Sequence, residues 1–379
     1  MKFIILTITL FTIITCKSAI IRGAILRDDV NIARKNIKEA DPNWIHIFTG
    51  ASLLEDAVHG GNPKMVQLLI DHKANVNLRN EFGITPLLFA SCTDKTEIVD
   101  ILLKANANPN IKSVLGESPL HCAAKFGRHE SIKLLLKYKA NPNSRNHSGK
   151  TPLMVASEKG HPEIIQTLID NGAEINLRDN ESWNALSLAI EYNQITSVKT
   201  LIKNSINIEL ADEDGLTALI DAAKRNKPEL IGLLLDVGAN PNASDKNNTT
   251  ALMFAAKYGS AESIQFLLSK NADPEVEDNF GKTALHIAAT KGHLSCIKLL
   301  LKSGVSLNKK DNFGNTALIL AVINQHAEVA DFLIQSNANT LSRNVLGLSA
   351  LDYANKPSMT QTKRLLLEKN KSDEKFTQP

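Results

Sequence analysis

Among 379 residues there are only four cysteines and 5% aromatics, and 43 basic side chains are set against 40 acidic ones. So even a balance leaves no basic footprint for wrapping nucleic acid or holding an anionic membrane, and no block of like charge supplies one locally. Cys16, Cys92, Cys122 and Cys296 form no CxxC pair and have no histidine at metal-ligand spacing. The expectation is neither a zinc site nor a disulfide framework, with Cys92, Cys122 and Cys296 as buried, inert thiols beside core positions. GxxxxGKS/T, GxGxxG after a strand, HExxH and GxSxG are all missing, so no catalytic constellation, cofactor or small-molecule substrate is expected.

Long apolar runs are missing too, with one exception at the start, MKFIILTITLFTIITCKSA. Its uncharged stretch, Phe3 to about Thr15, is shorter than the roughly 20 residues of a membrane span. With Lys2 before it and small residues at Cys16 and Ser18, residues 1–18 fit a secretory signal peptide cut after Ser18. The same stretch is a loose match to the bacterial lipoprotein pattern, in which Cys16 would be lipidated and tether the protein. Thr15, where a smaller residue is usual, favours release over tethering.

What the chain has in abundance is repetition. SPLHCAAKFG at 118–127, TPLMVASEKG at 151–160, TALMFAAKYG at 250–259 and TALHIAATKG at 283–292 share one pattern, and its opening slot recurs ten times, always 33 residues apart, from position 52 to position 349. Two residues into every copy stands a leucine, from Leu54 to Leu351, and three further on an alanine, from Ala57 to Ala354. That spacing puts both on one face of a helix, and an invariably small second residue indicates helices packed too closely for a larger side chain. Twelve residues past each alanine comes another leucine, Leu69 through Leu366, the core stripe of a second helix. Between copies, Ala-Asn-Pro-Asn ends a helix, a turn such as Asp-Asn-Phe-Gly follows, and Thr or Ser is placed to cap the next helix. Two copies depart from the pattern. One has Ser182 for the turn glycine, Asn184 for the capping residue and Ile206 for the usual alanine, and the other has Thr93-Asp94-Lys95 where Gly-His is usual. Both are expected soft points, since the stability of such arrays is roughly a sum over repeats and their neighbours.

The period of 33 and the T-P-L-H-x-A signature closely resemble the ankyrin repeat family. The resemblance implies an all-α solenoid of about ten helix-turn-helix repeats over residues 45–368. A degenerate N-terminal capping repeat over 19–44 precedes it and a polar disordered tail over 369–379 follows. It also implies that His121 and His286, at the fourth signature position, tie one turn to its neighbour rather than act in catalysis. Partners of the family usually lie against the turn tips and the exposed side of the first helix. Carried onto this chain, those slots hold Phe126, Lys159, Trp183, Tyr192, Lys224, Arg225, Lys257, Tyr258, Phe280 and Phe313. Aromatic residues mixed with Lys and Arg are the types that dominate interface energetics. The expectation is an exported, monomeric, non-enzymatic scaffold for a protein partner. A lipid-anchored envelope scaffold and a substrate-recruiting arm of an enzyme complex are the alternatives.

Overall fold

The computed structural model describes residues 2–376, which carry helices, turns and isolated bridges but no strand. The helices come in pairs, as a 3.6-residue apolar period broken by Pro, Gly and Asn every 33 residues requires. In residues 1–206, one of two compact halves, the pairs are α1 (Lys2–Leu26) with α2 (Val30–Asn36), α3 (Leu53–Gly60) with α4 (Pro63–Asp71), and α5 (Pro86–Cys92) with α6 (Thr96–Lys104). There follow α7 (Pro119–Lys125) with α8 (His129–Lys137), α9 (Pro152–Lys159) with α10 (Pro162–Asp170), and α11 (Ala185–Glu191) with α12 (Ile195–Lys203). The other half, residues 207–379, holds α13 (Ala218–Lys224) with α14 (Pro228–Asp236), α15 (Ala251–Tyr258) with α16 (Ala261–Ser269), and α17 (Ala284–Lys291) with α18 (Leu294–Lys302). It ends with α19 (Ala317–Ile323) and α20 (Ala327–Gln335), then α21 (Ala350–Tyr353) and α22 (Thr360–Phe376).

Within each half, first helices stack on first helices and second on second, as α5, α7 and α9 do, and α14, α16 and α18. The leucine two residues into each repeat is at most 1% exposed from Leu54 to Leu318, and the alanine three further on at most 1% in all ten repeats. Every leucine of the second stripe, Leu69 to Leu366, is fully buried. Burying each leucine is worth roughly 1.5–3 kcal/mol, and the alanines let neighbouring first helices approach. Only Leu351, in the last repeat, is partly exposed.

Backbone ends are satisfied by the residues the repeat puts there. Thr85 Oγ1 accepts the Leu88 N–H at 3.2 Å, and Asn184 Oδ1 accepts those of Leu186 and Ser187, each at 2.9 Å. Asn184 is therefore a competent cap and not a soft point. Ser182 does take the positive φ of the glycine it replaces, 65°. Elsewhere that slot needs glycine for room as well: a Cβ on Gly149 would come within 2.7 Å of the Asn180 backbone nitrogen. Where Gly-His is missing, Thr93 turns extended, and Lys95 reaches over the preceding repeat to donate to the Val58 carbonyl at 2.9 Å.

Two expectations meet a different structure. Cys92 and Cys122, taken for separate buried thiols, are joined in a disulfide, their Cα atoms 4.9 Å apart. Their separation of 30 residues is the repeat period less about one helical turn, so stacking α5 on α7 brings the two together although nothing in their linear spacing marks a pair. Cys296 is a free, buried thiol as expected, its pKa pushed up to about 11 by burial. At the other end, the polar stretch expected to be a disordered tail from 369 continues α22 as helix to Phe376, while residues 377–379 lie outside the described residues.

The described residues also include the start of the chain from Lys2. α1 runs unbroken from Lys2 through Ser18, the end of the stretch expected as a signal peptide, to Leu26. Ser18 is buried; its hydroxyl donates to the Ile14 carbonyl at 2.9 Å and accepts the Asp41 N–H at 3.2 Å. Lys17 pairs with Glu39 at 3.4 Å. From Ala19 onward the helix keeps the register of the repeats: Ile21 and Ala24, both fully buried, stand 33 residues before Leu54 and Ala57. The capping repeat expected over 19–44 is thus a helix pair, with its first half supplied by the end of α1.

Candidate functional site

The expected partner-binding residues are laid out separately in the two halves. In the first, Phe126 and Tyr192, at the C-terminal ends of α7 and α11, are 48% and 49% exposed. Lys125 Nζ lies 5.8 Å from the centre of the Phe126 ring, and Lys159 Nζ 5.7 Å from that of Tyr192, distances at which a cation is attracted to a ring face. Trp183 is not at a turn tip. Its N–H is accepted by Asp179 Oδ1 at 2.9 Å, and its carbonyl accepts the Asp179 N–H at 2.7 Å. It therefore sits half-buried on the arm that leads into α11, where with Tyr192, Asp179 and Lys150 it lines a cavity of about 430 Å³.

The lysine that lines this cavity, Lys150, is already compensated from beside it. Glu158 takes Lys150 on one carboxylate oxygen and Lys159 on the other, both at 2.8 Å. Burial pushes the Glu158 carboxyl up, but these two lysines outweigh it and hold it below the usual range. Burial likewise works to lower Lys150, and Glu158 outweighs it upward.

In the second half, Lys224 is exposed, and Arg225 is tied to Asp221 one helical turn back, Nε to Oδ1 at 2.9 Å. Lys257 lies 5.9 Å from the ring centre of Phe254 and 5.7 Å from that of Tyr258. Phe280 and Phe313 are true tip residues, 57% and 52% exposed. Their carbonyls accept the Asn312 and Val345 N–H groups at 3.0 and 2.9 Å, so the backbone is committed to the ladder between tips while the rings face out. The sequence placed Trp183 together with the tip residues, whereas the structure separates the slot just before the cap from the slot two residues earlier. Lys150 and Lys282 occupy that pre-cap slot and line cavities, and neither is among the residues expected from the sequence. Their 33-residue spacing pattern with Trp183 would have revealed them.

His121 and His286 are structural. His121 Nδ1 accepts the Ser118 N–H at 3.2 Å while Nε2 meets the Lys150 carbonyl of the next repeat at 2.9 Å. His286 makes the same pair with Thr283 and Lys309, at 3.1 and 3.0 Å. Accepting at Nδ1 and donating at Nε2 is the neutral imidazole, and burial pushes His121 down to about 4 and lowers His286. Among the described residues no cluster of His, Cys, Asp and Glu could hold a metal ion, and no helix is long and apolar enough to cross a membrane.

The family described as "Ankyrin repeats (3 copies)" matches at residues 22–113, 106–179, 174–245, 219–311 and 252–344. The crystal structure of the ankyrin repeat domain of Bcl-3, described as a unique member of the IkappaB protein family, is similar to this chain, with 25% identity and a TM-score of 0.54. The match covers 58% of this chain and all of that domain. None of the curated proteins compared matches.

Proposed function

Because the chain belongs to the ankyrin repeat family, whose repeats are generally protein-interaction modules, we propose that it is a non-enzymatic scaffold, exported from the cell that makes it. It binds a protein partner through its turn tips and the exposed ends of its first helices. The observation that carries the binding reading is the pairing of exposed aromatic rings with lysines, found in each half separately: Phe126 and Tyr192 in one, Tyr258 in the other. Even in an aromatic-poor chain, rings at these surface slots are the residue types that anchor interfaces. A photo-crosslinking side chain at Tyr192 or Tyr258 should capture the partner, and one at Lys199, exposed on α12, should not. Equal capture from Lys199 would sink the assignment.

Export is supported by two independent features, the uncharged run before Cys16 and the Cys92–Cys122 disulfide, a bond that persists in oxidising compartments and is rare in the cytosol. A cut after Ser18 also leaves Ala19 in the opening slot of the first repeat. Intact-mass measurement on the protein recovered outside the producing cell should show a chain that begins at Ala19 and lacks two hydrogens for the disulfide. A mass that includes an acylated Cys16 would mean a tethered scaffold, and retention of the full chain with free thiols inside the cell would overturn export.

A further inference from the structure

The cavity of about 430 Å³ between α15, α17 and the turns that lead into them differs in charge from its counterpart in the first half. Lys257, Lys282 and Lys291 line it, and among the described residues none of the three is ion-paired with a carboxylate. Other lysines of this half do find such partners: Lys309 is held by Glu275 and Glu277 at 3.2 and 2.8 Å, and Lys270 by Asp236 at 3.0 Å. Two aspartates do lie on the rim. Asp245 Oδ1 accepts the N–H groups of Asn247 and Thr249, and Asp278 Oδ1 those of Phe280 and Lys282, so each carboxylate is engaged in shaping its own turn. The lining is also partly apolar, with Met253, Phe254 and Ile287 beneath the lysines.

We propose that this cavity is a docking site for an acidic peptide segment of the partner protein, whose Asp or Glu side chains pair with Lys257, Lys282 and Lys291 while a neighbouring apolar side chain seats against Phe254 and Ile287. The inference rests on the scaffold reading above and gives it a place and a charge. In the first half the corresponding cavity cannot play this part, since Lys150, the lysine that lines it, is already held by Glu158, and Asp179, Glu181 and Glu191 line it too. A nucleic-acid strand fits less well: a sugar-phosphate backbone would leave the apolar floor of Met253, Phe254 and Ile287 unused.

A random 12-residue peptide phage library panned on the full chain tests the proposal. Selected peptides should be rich in Asp and Glu beside a Phe, Leu or Ile. They should lose at least tenfold in affinity for a Lys257→Gln, Lys282→Gln, Lys291→Gln variant that keeps the parent's helical content and melting temperature, and weaken as salt is raised. Selection of neutral or basic peptides, or no selection at all, overturns the proposal. So does tighter binding of a labelled single-stranded DNA 20-mer than of any peptide. Acidic peptides that ignore the lysine variant but weaken with Trp183→Ala and Tyr192→Ala would overturn this cavity and leave the scaffold reading standing. Peptides indifferent to both variants would sink the scaffold reading as well.

Discussion

Cys92 closes α5 and Cys122 lies in the first turn and a half of α7, and the bond between them joins the first helices of two successive repeats. It falls next to Thr93-Asp94-Lys95, where the glycine turn is missing and α5 ends on an extended residue. The bond thus ties down a first helix that ends without the positive-φ glycine used by the repeats on either side, Gly61 and Gly127. Closing a loop of 30 residues restricts the unfolded chain by about 3–4 kcal/mol in the chain-entropy model. Cys92→Ser, or a dithiol reductant on the parent, should lower the unfolding free energy by an amount of that order, read as a lower denaturation midpoint. An unchanged midpoint in both would show that the bond is energetically idle.

His121 predicts a pH dependence with a definite sign. Its folded pKa, about 4, lies below the ordinary 6.5, so the unfolded chain binds the proton more readily. The stabilisation is complete above about pH 6.5 and is lost as pH falls from there toward 4, by up to about 3 kcal/mol. Chemical denaturation of the parent and of His121→Gln should give curves that converge on acidification. A constant difference between pH 7 and pH 4.5 would mean that the imidazole is not held neutral.

Ser182 has φ 65° where other repeats use glycine. Relief of the left-handed strain outweighs the extra flexibility that glycine brings to the unfolded chain, so Ser182→Gly should raise stability by about 0.5–1 kcal/mol. A lower midpoint would show that the serine side chain contributes more than its backbone costs.

Ten residues past the opening slot, a side chain reaches back to a carbonyl of the preceding repeat. His326 Nε2 meets the Thr290 oxygen at 3.0 Å, and His293 Nε2 the Lys257 oxygen at 3.1 Å. Each bond is partly exposed, and His326→Ala should cost about 1 kcal/mol, measured as a shift in urea midpoint without a change in slope. No shift would mean that water replaces the imidazole without loss.

The helix pairs and their core were legible because they depend on short-range periodicity: a leucine and an alanine three apart and a second leucine twelve beyond, repeated without a slip. The disulfide was not, because Cys92 and Cys122 become neighbours only when repeats stack, and the relevant quantity is the period minus a turn rather than any motif spacing. α1 escaped for a different reason. An uncharged run carries no polar face from which to judge where a helix stops, and the contacts that bind Ser18 and Lys17 to the first repeat come from Asp41 and Glu39. The aromatic surface residues were found by slot, but which cavity carries uncompensated charge depends on pairs such as Lys150–Glu158, eight residues apart and on different elements. Side-chain reach decides such pairs, and sequence order does not show it.

The tip ladder has a bearing on how such a chain changes by inheritance. In the second half the Phe280 carbonyl takes the Asn312 N–H and the Phe313 carbonyl the Val345 N–H, each link spanning about one period. Loss or duplication of one whole period there returns every donor to an equivalent acceptor, while loss of a single residue offsets every later rung. Length can therefore drift in steps of one repeat without a cost to the fold, and the number of copies, more than any one side chain, is the dimension along which a lineage can adjust how much partner surface it covers.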